Sequence, residues 1–593
     1  MVSRVIVLTV LLFVAAAVAY LAGNGATPLF DRDEPRYALT AENMVRTGDL
    51  IVPRQYDKPR TAKPPLIYWA QALSMRVCGT GDGSSDATFA ARLPSAVAML
   101  AVLGMLTAFL AGETDAATRL AATAVFAFSG LTLFLAKAAI TDATLLAFVA
   151  PSMFAVYRAW RGDRRWRVAV AYGVSTGLAL LTKGPVALGV QGTTLAALGA
   201  LALVERRWPA QASWRTFPLS RAFPLSRAAE AGANARVGLK ACVAAGIALG
   251  IALPWAVAVE RASPGFLTAA FRHDLVERTT KGVDGQGRPP GFYFVVLYGT
   301  FFPWSLLLPA TFVVAWRRRH RPLTRFCLAA CVGPWVMFEA SRSKMPHWFM
   351  PVFLPLSILT GELLVTCWRG AASDLANRAF RATVWIWATA VVAMGVAPWF
   401  LVRRFEVPWW GAGLMSAWGL GLAGGGAWLF LRGELMRAVG LLAGAMGALV
   451  TTAFAVVLPH APPLLLGREV GEALRAAMPA RSAAAAWGPE AERASGSAGL
   501  RVIMDDSYNE PSVAFYQGGT AREADGATRG DPLLRSDIDL LTCAESNFLA
   551  HAEAVRARWK VVARERGLMY AKSARPITVL VLAPSGEGPG QRP

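Results

Sequence analysis

Asp31-Arg32-Asp33-Glu34-Pro35-Arg36-Tyr37 packs three acids against two arginines, directly behind a long apolar run. Carboxylates so placed can take a proton from an acceptor, orient it, or hold a hard cation. A solvated charge cluster is the bland alternative, yet such crowding at a bilayer surface is costly without a partner. About thirty residues on, Lys63 stands beside two stiffening prolines and ahead of the interface aromatics Tyr68 and Trp69 in Lys63-Pro64-Pro65-Leu66-Ile67-Tyr68-Trp69. A lysine held at headgroup depth suits a lipid phosphate, although ordinary snorkelling explains it equally well.

Further polar residues punctuate the apolar runs. Asp142 follows Ile140-Thr141, and Lys183 precedes Gly184-Pro185; taken singly, each reads as a helix end. His273 and Arg278 lie in Phe271-Arg272-His273-Asp274-Leu275-Val276-Glu277-Arg278, where they could meet an anionic ligand. Arg342, Lys344, His347 and Trp348 belong to Ser341-Arg342-Ser343-Lys344-Met345-Pro346-His347-Trp348, which adds cations suited to a phosphate-bearing lipid. Collected on one face, these acids and bases form an inventory for gripping an anionic lipid and acting on a group attached to it.

The elements that must position them are membrane spans. Of 593 residues, 55% are hydrophobic and only 17% charged, against about a quarter charged in a soluble protein. The apolar residues come in about thirteen runs near span length. These lie near 5–23, 92–111, 119–136, 142–157, 168–182, 185–204, 238–259, 291–315, 326–341, 349–367, 382–401, 410–431 and 436–458.

The net charge of +21 would suggest nucleic acid in a soluble protein, but here its placement supplies another reason. Arginines gather at 158–167, 206–240, 317–325, 369–381 and 432–437, always in loops of one parity. The positive-inside rule puts those loops in the cytoplasm, and the acid-bearing loops opposite. The six cysteines show neither metal spacing nor a disulfide framework.

The outer side therefore receives two loops, about 24–91 and 260–290. It also receives a tail, 459–593, whose strand-like runs Arg501–Met504 and Ile577–Leu582 suggest a small α/β domain. Residues 1–458 form the transmembrane domain. Ala483–Gly499 reads as a flexible insertion, and the doubled FPLSRA at 217–228 as a local duplication in a tolerant inner loop. The spans carry few charges near their centres, which ranks a flippase or transporter of a lipid-linked sugar second.

Residues 31–73 (DRDEPRYALTAENMVRTGDLIVPRQYDKPRTAKPPLIYWAQAL) resemble the first periplasmic loop of bacterial polyprenyl-phosphate-dependent glycosyltransferases. The resemblance is to the lipid A aminoarabinose transferase (ArnT-like) group, akin to protein O-mannosyltransferases. The segments TDATL, LTKGP, FFPWSLLLP and SKMPHWFMPVFLP follow in that family's order, and Tyr508–Tyr516 and Gly567–Lys572 are similar to its soluble domain.

This resemblance implies a mainly α, polytopic bundle of the GT-C type with a C-terminal periplasmic α/β domain, in the bacterial inner membrane. It implies transfer of a sugar from a polyprenyl-phosphate donor to lipid A, another envelope glycan or a protein. Asp33, with Glu34 beside it, would be catalytic and Lys63 would contact the donor phosphate; Asp142, Lys183, His273 and Arg278 would line the same cavity. Where the family often has Tyr after its Lys-x-Pro, this chain has His347-Trp348. A divalent cation (Mg2+, Mn2+ or Zn2+) held by Asp31, Asp33 and Glu34 is the one cofactor the residues leave open. The protein is expected to act as a monomer among membrane lipids, without nucleic acid.

Overall fold

Long runs of Leu, Val and Ala, broken by few charges, have to satisfy their backbone internally within hydrocarbon, and helices do so. The structure, a computed structural model, describes residues 2–31, 33–81, 86–207, 231–281, 287–370, 392–393, 395–400, 402–403, 406–478, 501–524, 530–569 and 575–586. Among these, 8 helices are long and apolar enough to cross a membrane, or up to 9 if a bent pair is one span. Their outward residues, such as Leu11, Val97, Val332, Val336 and Phe294, are large, apolar and exposed. Lipid, not water, is the solvent that suits such a surface. The chain is a multi-pass membrane protein.

The bundle begins with α1 (Val2–Leu21), then the first loop, which carries α2 (Asp33–Thr47), the small β1–β2 hairpin (Arg54–Gln55, Lys58–Pro59) and α3 (Leu66–Val77). There follow α4 (Thr88–Ala111), α5 (Ala116–Ala127), α6 (Gly130–Ala136), α7 (Thr141–Trp160), α8 (Trp166–Lys183), α9 (Val186–Arg207) and α10 (Ala231–Ala262). The second loop holds α11 (Phe266–Phe271), a π-helical stretch (Arg272–Glu277) and α12 (Arg278–Thr280). The bundle closes with α13 (Phe292–Thr300), α14 (Leu308–Arg317), α15 (Pro322–Ala340), α16 (Met350–Trp368), α17 (Trp409–Leu431) and α18 (Leu435–Thr452).

Two expected spans are not single rods. The run near 119–136 divides into α5 and α6, bent by 62°, and the run near 291–315 divides into α13, a 3-10 turn (Trp304–Leu307) and α14. The expected span at 382–401 lies largely outside the described residues, as do the FPLSRA duplication, 282–286 and 483–499. The most enclosed span runs through α16: 94% of its apolar window is buried.

After α18 the chain enters α19 (Pro462–Ala477) and a five-stranded sheet of order β4-β3-β5-β7-β6. Strand β3 (Val502–Met504) pairs in parallel with β4 (Arg522–Glu523) and β5 (Leu540–Ala544); β7 (Arg575–Pro584) runs antiparallel to β5 and to β6 (Trp559–Met569). Alternation along the strands divides the side chains into two layers. Val502, Met504, Leu540, Val579 and Val581 pack with Leu466, Val470 and Leu474 of α19 and with α20 (Pro511–Gln517). Ile503, Leu541, Cys543, Leu580 and Leu582 form the opposite core with Phe548 and Trp559. Leu39 and Tyr56 of the first loop join the former layer, so the sheet domain is docked on α2.

The ends of the bundle differ in chemistry. Arg158 to Arg167 join α7 to α8, and Arg317 to Arg325 join α14 to α15, at one end. Asp142 opens α7, Lys183 closes α8 and His347 precedes α16, at the other.

Candidate active site

At the end away from the arginine loops, two stretches remote in sequence meet at Asp274. Lys63 Nζ lies 2.5 Å from Asp274 Oδ2, and Arg278 Nε lies 2.9 Å from Oδ1. The second pair is an i,i+4 contact, so the local helical geometry of the second loop brings it together. Lys63 also donates to its neighbour's carbonyl, Ala62 O, at 2.7 Å. Burial pushes Lys63 down to about 8, against the pull of Asp274 upward, with Lys183 and Arg278 adding to the depression.

A second ion pair stands close by. Lys183 Nζ is 2.6 Å from Asp142 Oδ1, and His347 Nε2 is 3.8 Å from Oδ2. Lys183 also lies 5.9 Å from the centre of the Trp348 ring. Asp142 feels Lys63, and Lys63 feels Lys183, so the two pairs share one electrostatic neighbourhood.

Asp33 opens α2 and faces the same neighbourhood, within electrostatic reach of Tyr37, Arg60 and His347. It is exposed, and among the described residues its carboxylate accepts no hydrogen bond. Beneath it, Arg60 Nε donates to Tyr68 Oη at 3.0 Å and lies over the Tyr37 ring, which stacks on Tyr68. Burial raises both phenols, which therefore stay protonated at neutral pH. The arrangement offers an accessible carboxylate in a cluster in which Lys63, Lys183, Arg278 and Arg60 outnumber Asp274, Asp142 and Asp33. An anionic group is what such a balance accommodates.

Several expected residues have other engagements. Glu34 is buried and turned to Arg92 of α4. Its carboxylate forms a forked pair with Arg92 (2.9 and 2.7 Å) and accepts Phe30 N at 2.8 Å and Ala139 N at 2.6 Å. It holds the first loop to α4 and to the turn before α7, and this correction separates it from Asp33. Lys344 is likewise buried, donating to Arg288 O at 3.0 Å. Arg342 is exposed, and its backbone bonds to Thr279 and Arg288. Both join the second loop to the stretch before α16. His273 lies 3.3 Å from Glu277 and is 39% exposed.

The acids also diverge where a shared cation was expected. Asp31 reaches the sheet domain, where it accepts from Ser512 N at 3.1 Å and Ser512 Oγ at 2.5 Å. Burial, with Glu510 close by, raises its pKa to about 7. With Glu34 held by Arg92, the trio does not fit a common ion. No group of three or more His, Cys, Asp or Glu among the described residues is arranged as a metal site.

Sequence reasoning missed Asp274 and Arg92. The i,i+4 spacing of Asp274 and Arg278 is a signal that could have found the first. An arginine in the opening turn of an apolar helix, which demands a buried partner, could have found the second.

Residues 62–215 match the family described as dolichyl-phosphate-mannose-protein mannosyltransferase. The chain is 30% identical over 370 residues to an undecaprenyl phosphate-alpha-4-amino-4-deoxy-L-arabinose arabinosyl transferase of Pseudomonas paraeruginosa. That alignment covers 61% of this chain and 60% of the relative. It is 26% identical over 365 residues to the protein of that name from Serratia proteamaculans, covering 60% and 59%. Thus the matched part spans about three fifths of the curated relatives' own length. In structure the chain resembles ArnT from Cupriavidus metallidurans, solved in the apo state and bound to undecaprenyl phosphate. The TM-score is 0.69 at 20% identity, covering 96% of this chain and 97% of the other. An archaeal oligosaccharyltransferase, AglB from Archaeoglobus fulgidus, follows with a TM-score of 0.50 at 10% identity, over 91% and 69%. These likenesses in structure are likenesses of fold.

Proposed function

We propose, from a chain whose fold is that of the ArnT-like GT-C superfamily, that the protein transfers a sugar from an undecaprenyl-phosphate-type donor to an acceptor of the lipid A class. The reaction would occur on the periplasmic face of a bacterial inner membrane. The observation that carries this reading is the Lys63–Asp274–Arg278 cluster, joined electrostatically through His347 to the exposed Asp33. The relatives' names, with their aminoarabinosyl donor, support a pentose or related sugar as the transferred group.

The donor is a phosphodiester. As the anomeric C–O bond breaks, its electron pair passes to the phosphate, which leaves with an added negative charge. Cations already fixed in place stabilise that charge without reorganising in the transition state. Lys63 and Arg278 are so fixed, because both grip one carboxylate. The acceptor oxygen forms the new bond at the anomeric carbon from the opposite face. A hydroxyl acceptor gives up a proton, which the Asp33 carboxylate takes; a phosphate acceptor arrives ionised, and Asp33 then orients it or the sugar. Asp142, neutralised by Lys183, shapes the polar wall of the pocket.

Asp33→Asn keeps the size of the side chain and removes its charge and basicity. In purified protein whose thermal stability matches wild type, sugar transfer to lipid A from an undecaprenyl-phosphate donor should fall about 100-fold or more. Transfer within twofold of wild type removes Asp33 from the reaction. Radiolabelled sugar that crosses sealed vesicles without joining the acceptor overturns the whole reading in favour of a transporter.

A further inference from the structure

Asp33 lies between two residues whose side chains are tied down in opposite directions. On the membrane side, Glu34 is locked to Arg92 and holds Phe30 N. On the other side, Asp31 receives both the backbone N–H and the hydroxyl of Ser512, a buried residue of the sheet domain. The same short helix, α20, grips the strip again. Tyr516 Oη accepts Leu29 N at 2.9 Å and lies 2.9 Å from Thr88 Oγ1. Helix α19 passes the junction at Gly467, where an added Cβ would fall 1.9 Å from Ser512 Oγ. Glycine is therefore needed for this approach. A cavity lined by Asp31, Gly467, Tyr508 and Glu510 marks the same seam.

The consequence is geometric. Fixing Leu29 to Asp31 from the sheet domain, and Glu34 from α4, leaves the first turn of α2 little freedom. Asp33 is the carboxylate of that turn which remains exposed. We propose that Ser512, acting through Asp31, is a positioning residue for Asp33, so that the C-terminal domain is a working part of the active centre and not a separate binding module. The inference rests on the proposed function for its kinetic readout, but its structural content can be measured separately. Displacing a reacting group by about 1 Å can cost on the order of 100-fold in rate.

The test compares Ser512→Ala, Asp31→Asn and their double variant in the full-length protein. Arg522→Ala is the control: it breaks another contact between the domain and the first loop, the 2.6 Å pair with Asp57, away from the start of α2. Ser512→Ala should lower kcat about tenfold or more and leave the Kd for undecaprenyl phosphate within twofold, with the double variant no worse than the weaker single. Hydrogen exchange of the Tyr37 to Thr40 amides, whose i→i−4 bonds return to the first turn of α2, should quicken in Ser512→Ala and stay unchanged in Arg522→Ala. Should Ser512→Ala fail to accumulate, Tyr516→Phe keeps the ring and reads the same effect through Leu29. Unchanged exchange, a kcat within twofold of wild type, or an equal loss in Arg522→Ala overturns the inference. If the wild-type protein transfers no sugar, the functional reading falls, and the exchange measurement still decides this one.

Discussion

Burial and attraction oppose each other at Lys63. Removal from water disfavours its ammonium, Asp274 at 2.5 Å favours it, and the net result is a pKa of about 8. The group is therefore charged below pH 8 and loses its proton as pH rises beyond. The phosphodiester of the donor keeps its single charge throughout that range, so with a donor sugar that carries no amine a change in capture reports the protein. The kcat/KM for donor should be level up to about pH 7.5 and fall toward tenfold per unit above pH 8. Lys63→Arg should abolish that fall, because guanidinium stays protonated past pH 12, at the cost of a weaker fit. A fall that persists unchanged in Lys63→Arg assigns the titration elsewhere. The sequence made Lys63 legible because prolines and aromatics fix it at headgroup depth. It could not separate Asp33 from Glu34, since neighbours in a chain become neighbours on a helix that point about 100° apart. Asp33 is exposed, and Glu34 faces Arg92.

Among the elements, α8 illustrates how a bundle helix can carry a candidate site residue and yet be weakly apolar. It ends at Lys183, whose ammonium pairs with Asp142 at the start of α7. Its place is set by a seam of small residues: a Cβ on Gly173 would meet Ala244 O at 2.6 Å, and one on Gly177 would meet Ala248 O at 2.9 Å. Close backbone approach of this kind is how helices associate where lipid offers no hydrophobic drive. Gly177→Leu should push α8 from α10 and cost about 1–3 kcal/mol. It should be read as a lower Tm together with a loss of transfer greater than the unfolded fraction explains, because Lys183 moves with the helix. A wild-type Tm would show that the seam yields. Apolar run length located the 8 described helices that are long and apolar enough to cross a membrane, since it is the property that lipid selects, and α8 is not among them. It gave no warning that α5 and α6 bend by 62°, because a break set by packing against Phe302 O, which accepts Gly130 N at 2.8 Å, is written in contacts and not in composition. The pairing of Asp31 with Ser512, 481 positions apart, was illegible for the same reason.

Across the whole molecule the arginine loops and the acid–base cavity occupy opposite ends of one bundle, and this separation ties topology to mechanism. Arg318 and Arg321 hold Glu362 near the arginine-loop end of α16, whereas His347 stands before the other end of the same span. If the positive-inside rule governs insertion, the first-loop hairpin bearing Lys58 and the turn bearing Arg161 lie on different sides of the membrane; both residues are exposed. Replacing the exposed Cys78 and Cys242 by serine leaves cysteines that are buried or half-buried. Single Lys58→Cys and Arg161→Cys variants in that background then report sidedness to a membrane-impermeant maleimide. Lys58→Cys should label in spheroplasts, and Arg161→Cys only after lysis. The opposite pattern would place Asp33, Lys63 and Asp274 in the cytoplasm. There lipid A on the outer leaflet is out of reach, and a donor could serve only an acceptor made inside. The labelling thus bears on chemistry as well as on orientation: a periplasmic site requires a donor lipid already delivered across the membrane, and the docked sheet domain would then stand on the side from which an envelope acceptor approaches.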